Sequence, residues 1–172
     1  MHRLSVILLL TLALVPTALA GGSATGDGAL SVLNANGTIT VVGRGTIYGQ
    51  LDKGTLTVTD PDPTDGLVQV VGAEHTLHVS LHVTAYSGKD ITFRLVGGRY
   101  KLAITAGTNV DFLAVGVGKA WLKGDPAGAS SGTYTVDGAK NVPLPLAPTA
   151  PVPAGTTWPG VAVPFGVQPA TP

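Results

Sequence analysis

The chain has 172 residues, with ten Lys and Arg against ten Asp and Glu and no Cys. The balanced charge argues against a nucleic-acid binder, which needs a basic surplus, and the lack of Cys excludes disulfides, thiolate metal sites and a thiol nucleophile. Hydrophobic residues make up 44% of the chain, and 24 Gly and 13 Pro accompany only 5% aromatics. This composition is typical of one small domain with many turns.

The N-terminus has the pattern of a secretory signal peptide. A positive start at Met1–Arg3 precedes an apolar run from Leu4 to Val15 and an Ala-x-Ala motif ending at Ala20. The run is shorter than the roughly 20 residues that span a bilayer. We expect cleavage after residue 20, a secreted or extracytoplasmic protein, and no integral membrane span after cleavage. An uncleaved membrane anchor is the alternative. Residues 21–29 are then a flexible N-terminal segment.

The C-terminus is rich in proline. Nine of the thirteen prolines lie in residues 141–172, and no charged residue follows Lys140. Proline cannot be absorbed by a packed helix or a central strand, whereas it favours an extended polyproline conformation. The sequence therefore predicts a Pro-rich disordered tail over residues 141–172.

Residues 30–140 alternate apolar and polar side chains between frequent Gly-containing turns. Alternation with a period of two places one set of side chains in a core and the other in water, as in an antiparallel sheet with one solvated face. We expect an all-β domain, either a single antiparallel β-sandwich of the Greek-key or Ig-like type or a partly closed β-barrel.

The clearest alternation runs from Ile91 to Ile104. A two-residue hairpin turn at Gly97-Gly98 would place Val96 opposite Arg99 and so separate two faces. The apolar face would comprise Ile91, Phe93, Leu95, Tyr100, Leu102 and Ile104, and the polar face Thr92, Arg94, Arg99 and Lys101.

The run from Thr76 to Thr84 alternates in the same way. Its apolar residues are Leu77, Val79, Leu81 and Val83, and its polar ones include His78 and His82. We expect one half-buried strand here. A histidine metal site is disfavoured, because His78 and His82 would lie about 13 Å apart along a strand.

A weak internal repeat links two glycine-containing segments. Val42-Gly43-Arg44-Gly45 is echoed by Val115-Gly116-Val117-Gly118. Two equivalent regions of a pseudo-symmetric β fold would produce this echo, and so would turn chemistry shared by chance.

Three segments together carry a family resemblance: the run from Gly43 to Leu51, the Asp60-Pro61-Asp62-Pro63 turn, and Gly97-Gly98-Arg99-Tyr100. With these motifs the central hundred or so residues resemble a group of uncharacterised small exported bacterial all-β proteins. The resemblance implies a β fold and export, and it implies no activity.

Two clusters of charged residues are candidate binding sites. The cations Arg94, Arg99 and Lys101 would share the solvated face of the predicted hairpin, where planar Arg donors suit an anionic glycan or cell-wall polymer. Exposed charges also keep sheets from sticking to one another, so an unspecialised solvated face is the alternative.

The second cluster contains Asp60, Asp62 and Asp65. Oxygen-rich turns suit calcium, although the spacing departs from an EF-hand loop because residue 71 is Val where that loop has Glu. The alternative is a rigid surface loop without a metal, since Pro follows both Asp60 and Asp62. Calcium is thus the sole cofactor candidate, and no other is indicated.

Groups suited to catalysis are few. The only Glu is Glu74, and neither a Gly-x-Ser-x-Gly nor a His-Glu-x-x-His motif occurs. We therefore expect a non-enzymatic structural or adhesive β-module of the cell envelope, with a cell-wall polymer or an envelope protein as its partner. A binding module for an anionic glycan, with or without calcium, is the alternative. A hydrolase built from Asp residues and Glu74 is the least favoured.

Overall fold

The protein is all-β, as predicted. The computed structural model describes residues 26–125, 131–146, 158 and 160–166, and no helix occurs among them. Its strands are β1 (Gly28–Thr59), β2 (Gly66–Ser80), β3 (Val83–Gly124), β4 (Thr133–Val136), β5 (Val142–Pro143) and β6 (Val161–Phe165). The predicted signal peptide lies outside the described residues.

The six strands form one antiparallel sheet. Their order is β2-β3-β1-β4-β5, and β6 pairs with β3. The sheet does not close into a barrel, so the architecture is sandwich-like. The predicted antiparallel sheet is therefore confirmed, and the long edge strand β2 lies at one end of the strand order.

The strands β1 and β3 are long and bend, so different stretches of β3 flank both edges of β1. Ile39, for example, pairs with Ile104 on one edge and with Leu122 on the other. This double pairing brings together residues of β3 that are far apart in sequence. It also determines which surface residues become neighbours.

The core is apolar throughout. Residues with inward side chains alternate along β1 and β3, and no polar or charged residue of the described part is buried. The largest fully buried side chains are Phe93, Phe165, Leu30, Ile39, Ile47, Leu51, Leu56, Ile91, Leu95, Leu102, Ile104 and Leu122. The Tyr100 hydroxyl is also buried and has no hydrogen-bond partner among the described residues. Its burial raises the pKa of Tyr100 to about 12.

The predicted hairpin at Gly97-Gly98 is wrong, although both of its predicted faces are confirmed. β3 continues through this dipeptide, and both glycines have positive φ. On the neighbouring strand Arg44 pairs with Arg99 and Thr46 with Val96. Two glycines thus lie opposite one residue of β1, which is a β-bulge. A one-residue bulge and a two-residue turn shift the alternation equally, so the pattern could not distinguish them.

The predicted half-buried strand from Thr76 to Thr84 is also wrong. β2 ends at Ser80, and a turn at Leu81-His82 leads into β3. Leu77, Val79 and Leu81 are 64%, 61% and 88% exposed, whereas we expected them in the core. Beyond residue 73 the edge strand β2 extends past the packed core, so both of its faces meet solvent.

The C-terminal region differs from the predicted disordered tail wherever the structure describes it. Leu144 is buried, and β6 pairs with β3 while burying Val163 and Phe165. Pro143 and Pro164 lie in the short outer strands β5 and β6. Proline is tolerated at an edge because one side of such a strand needs no ladder N–H. The strands of the described residues therefore begin at Gly28 and reach as far as Phe165, beyond the predicted 30–140.

The described part of the chain holds no helix with the length and apolar character that crossing a membrane requires.

Candidate anion-binding groove

The outer face of the sheet carries two adjacent cross-strand rows of basic residues. In the first row Lys101 pairs with Val42, and Val42 pairs with Lys119. Neighbouring strands are about 4.8 Å apart, so the backbones of the two lysines are about 10 Å apart. In the second row Arg44 pairs directly with Arg99. All four cationic residues are exposed.

These rows border an open groove of about 630 Å³. Apolar side chains from Val42, Pro61 and Trp121 contribute to its walls, together with the four cations. The groove therefore combines positive charge with apolar contact surface, as sites for amphipathic ligands do.

Trp121 lies beside one of the cations. The Nζ atom of Lys119 is 5.4 Å from the centroid of the Trp121 ring, within the range of a cation–π contact. Trp121 is half-buried, so part of its ring stays accessible. An accessible indole can stack against the C–H face of a sugar while the neighbouring lysine binds an acidic substituent.

Paired glycines lie beneath the basic rows. Gly43 pairs with Gly118 and Gly45 with Gly116. A Cβ atom at Gly45 or Gly116 would collide with a carbonyl oxygen of the facing strand, so the close approach of the strands requires glycine there. These glycines belong to the two echoed segments, which the structure pairs with each other.

The loop between β1 and β2 borders the Arg99 end of the groove. The Asp65 carboxylate accepts a hydrogen bond of 3.3 Å from the backbone N–H of Arg99. Hydrogen bonds from the hydroxyl and the backbone N–H of Thr64 lower the pKa of Asp62, and the charge of Arg99 adds to this effect. The acidic groups of this loop therefore partly offset the positive charge at the Arg99 end of the groove.

The predicted cation cluster is only partly brought together. Arg99 and Lys101 line the groove, but Arg94 does not. Arg94 pairs with Tyr48 of β1, four residues along from Arg44, which is about 13 Å along the strand. The expected juxtaposition of Arg94 with Lys101 fails because the hairpin that would have produced it is a bulge.

Arg44 and Lys119 complete the cluster, and sequence reasoning missed both. They are 75 positions apart in sequence and become neighbours because Val42 pairs with Lys119 and Arg44 with Val117. The double pairing of β1 with β3 then places Lys119 near Arg99 and Lys101. The echo between the two glycine segments was the one available signal, because Arg44 lies in the first segment and Lys119 directly follows the second.

The three aspartates proposed for calcium lie in one loop, where Asp60 and Asp62 accept hydrogen bonds from the loop backbone and Asp65 accepts one from Arg99 of β3. The Asp60 side chain accepts a hydrogen bond from the N–H of Asp62, and the Asp62 side chain accepts one from the N–H of Thr64, each at 3.1 Å. Over the described ranges, no three His, Asp or Glu side chains are grouped as metal ligands would be. Calcium binding at this loop stays a prediction.

The residues considered for other chemistry lie on the far edge of the sheet. Glu74 is exposed in β2, and the Nδ1 atom of His78 lies 3.2 Å from the Thr84 hydroxyl oxygen. Neither residue borders the groove. The groove itself offers guanidinium and ammonium donors next to an aromatic ring, a combination that binds anions through charge-assisted hydrogen bonds.

Compared with models of protein families, with curated proteins and with solved structures, the chain matches none.

Proposed function

We propose that this protein is an exported, non-enzymatic binding module for an anionic polysaccharide at or outside the cell surface. The observation that carries the proposal is the direct pairing of Arg44 with Arg99 beside the row that contains Lys101 and Lys119. Like charges facing each other across strands are unfavourable. A bound polyanion would relieve this repulsion and engage all four cations together.

The groove suits a polymer better than a small ion. It is open and extends across several strands, so a chain of acidic sugars can continue beyond either end. Trp121 adds a surface for a sugar ring, which an inorganic anion would not use. Export to the envelope, expected from the N-terminal sequence, would bring the protein to acidic wall polymers. The structural or adhesive role expected above is compatible with such binding and stays a prediction.

The proposal can be tested by titrating polygalacturonate, with neutral dextran as the uncharged comparison, into the purified protein by calorimetry. We expect binding to polygalacturonate only, and weaker binding at high salt because salt screens exposed charges. Lys101→Gln combined with Lys119→Gln should weaken binding by about two- to thirtyfold, since each of the two exposed ion pairs contributes about 0.2–1 kcal/mol. Trp121→Ala should also weaken it.

Arg94→Gln is the matched control, because it removes one exposed cation from the same sheet face outside the groove. It should leave the affinity nearly unchanged. Equal binding of dextran and polygalacturonate would contradict the proposal, and so would equal losses of affinity in the Arg94 variant and the Lys101/Lys119 variant.

A further inference from the structure

The free edge of β2 has the properties of a strand that pairs with another chain. β2 is fifteen residues long and, among the described residues, pairs only with β3. An edge strand exposes unpaired N–H and C=O groups, which proteins usually protect with Lys, Pro, β-bulges or very short strands. Bulges flank the run from His75 to His78, which itself pairs regularly with β3. β2 contains no Lys, Arg or Pro.

The side chains of this edge also favour association. Leu77 and Val79 are more than half exposed, in a segment that carries a single acidic residue, Glu74. Apolar side chains on an unprotected edge gain by being covered, because covering them removes apolar surface from water.

The segment from Glu74 to His78 can pair antiparallel with the same segment of a second copy, with Thr76 of one copy opposite Thr76 of the other. Glu74 would then face His78, and His75 would face Leu77. Glu74, Thr76 and His78 lie on one face of β2. Thr76 pairs with Tyr86 and His78 with Thr84, whereas Glu74 lies in a bulge with its side chain beside Gly88. Gly88, Tyr86 and Thr84 alternate on a single face of β3.

The contacts of His78 fit this arrangement. The Thr84 hydroxyl is within hydrogen-bond distance of the Nδ1 atom of His78. With the hydroxyl donating to Nδ1, the Nε2 atom carries the hydrogen. That N–H can donate to the Glu74 carboxylate of a second copy. A two-fold axis at Thr76 makes this contact twice, as in any dimer that joins the same patch of both subunits.

From these observations we propose that the protein forms a symmetric dimer in which the β2 strands of two copies pair antiparallel about Thr76. The pairing would join the two sheets edge to edge and cover Leu77 on each copy. It uses neither the groove nor any residue that lines it, and it therefore goes beyond the proposed function.

The test is sedimentation of the purified protein over a range of concentrations, with charge variants of the proposed pair. We expect a monomer–dimer equilibrium for the unaltered protein. Glu74→Lys places a lysine against His78, and His78→Glu places two carboxylates together. Each should weaken dimerisation by about tenfold, because Glu74→Lys leaves the His78 N–H facing a donor instead of an acceptor, and His78→Glu places like charges opposite each other. The double variant Glu74→Lys/His78→Glu places a lysine opposite a carboxylate and should restore the dimer.

Gln69→Lys is the matched control, since it adds a charge to β2 outside the paired segment and should leave dimerisation unchanged. Both substituted residues of the pair are exposed, and circular dichroism should show that every variant keeps its sheet. A protein that is monomeric at all concentrations would overturn the proposal. A dimer insensitive to the single substitutions, or one that the double variant does not restore, would also overturn it.

Discussion

The outer strands β2 and β6 are held to the same strand, β3, by different means. β6 has five residues, includes Pro164, and fixes itself through Phe165, which is fully buried. β2 has fifteen residues and no proline, and its half beyond residue 73 leaves both faces in solvent. The first edge is stabilised by side-chain burial. In β2, Val68 and Val70 pack against the core, whereas the half beyond residue 73 depends on its tight turn and backbone pairing. Proximity to an edge therefore does not predict what a residue contributes to stability.

The largest expected effect is on the β6 side. Phe165→Ala should destabilise the protein by about 3–5 kcal/mol, the usual cost of removing a buried aromatic ring. The ring lies against Gly118 of β3, so its loss leaves a cavity where β6 joins the sheet. Denaturant unfolding measures the change in the free energy of unfolding. A loss below about 1 kcal/mol would show that β6 does not anchor the fold.

Tyr100 lies in the same cross-strand row as Phe165, since Tyr100 pairs with Gly43, Gly43 with Gly118, and Gly118 with Phe165. Tyr100→Phe should stabilise the protein at neutral pH by about 1 kcal/mol, because it removes a buried hydroxyl that lacks a hydrogen-bond partner. Denaturant unfolding at pH 7 tests this prediction.

The raised pKa of Tyr100 adds a pH dependence with a definite sign. Its ordinary value is about 10, and burial raises it to about 12 in the folded state. The folded protein thus favours the protonated form. Relative to high pH, the protonated Tyr100 adds about 2–3 kcal/mol to the free energy of unfolding. This contribution is complete below pH 10 and is lost as the pH rises through 12. The Phe variant should lack this loss. Parallel stability curves for the two proteins between pH 9 and 12 would contradict the assignment.

The smallest expected effect is on the β2 side. Leu77→Ala should change the stability of the monomer by less than about 0.5 kcal/mol, since the side chain is mostly exposed. Unfolding at a concentration low enough to keep the protein monomeric measures this value. If Leu77→Ala lowered the free energy of unfolding as much as Phe165→Ala does, the segment around Leu77 would be packed against the core. The two edges would then be stabilised in the same way.

Sequence reasoning recovered the fold class and the inward-facing residues between Ile91 and Ile104, because alternation reports faces directly. It failed where two backbone geometries produce the same alternation, as at Gly97-Gly98. It also missed the turn at Leu81-His82, which contains none of the residues that usually mark turns. Proline content hid β6, although Val161, Val163 and Phe165 alternate as strand residues do.

The basic groove could be predicted only in part for a different reason. Arg99 and Lys101 are near neighbours in sequence, so they could be grouped in advance. Arg44 joins them by pairing directly with Arg99, and Lys119 joins them only because β1 has β3 on both of its edges. The echo between the two glycine segments was the one signal for these two residues, and it could not show that β3 flanks both edges of β1, which is a property of the tertiary fold.

The pairing of β6 with β3 has a consequence for the order of events during synthesis. The Phe165 ring can enter the core only after residue 165 has left the ribosome. Likewise, the pairing of Gly28 with Gly116 can form only after residue 116 has been synthesised. Contacts between such distant residues make folding slow. Slow folding of this kind is compatible with the proposed export, because passage through a translocation pore requires an unfolded chain.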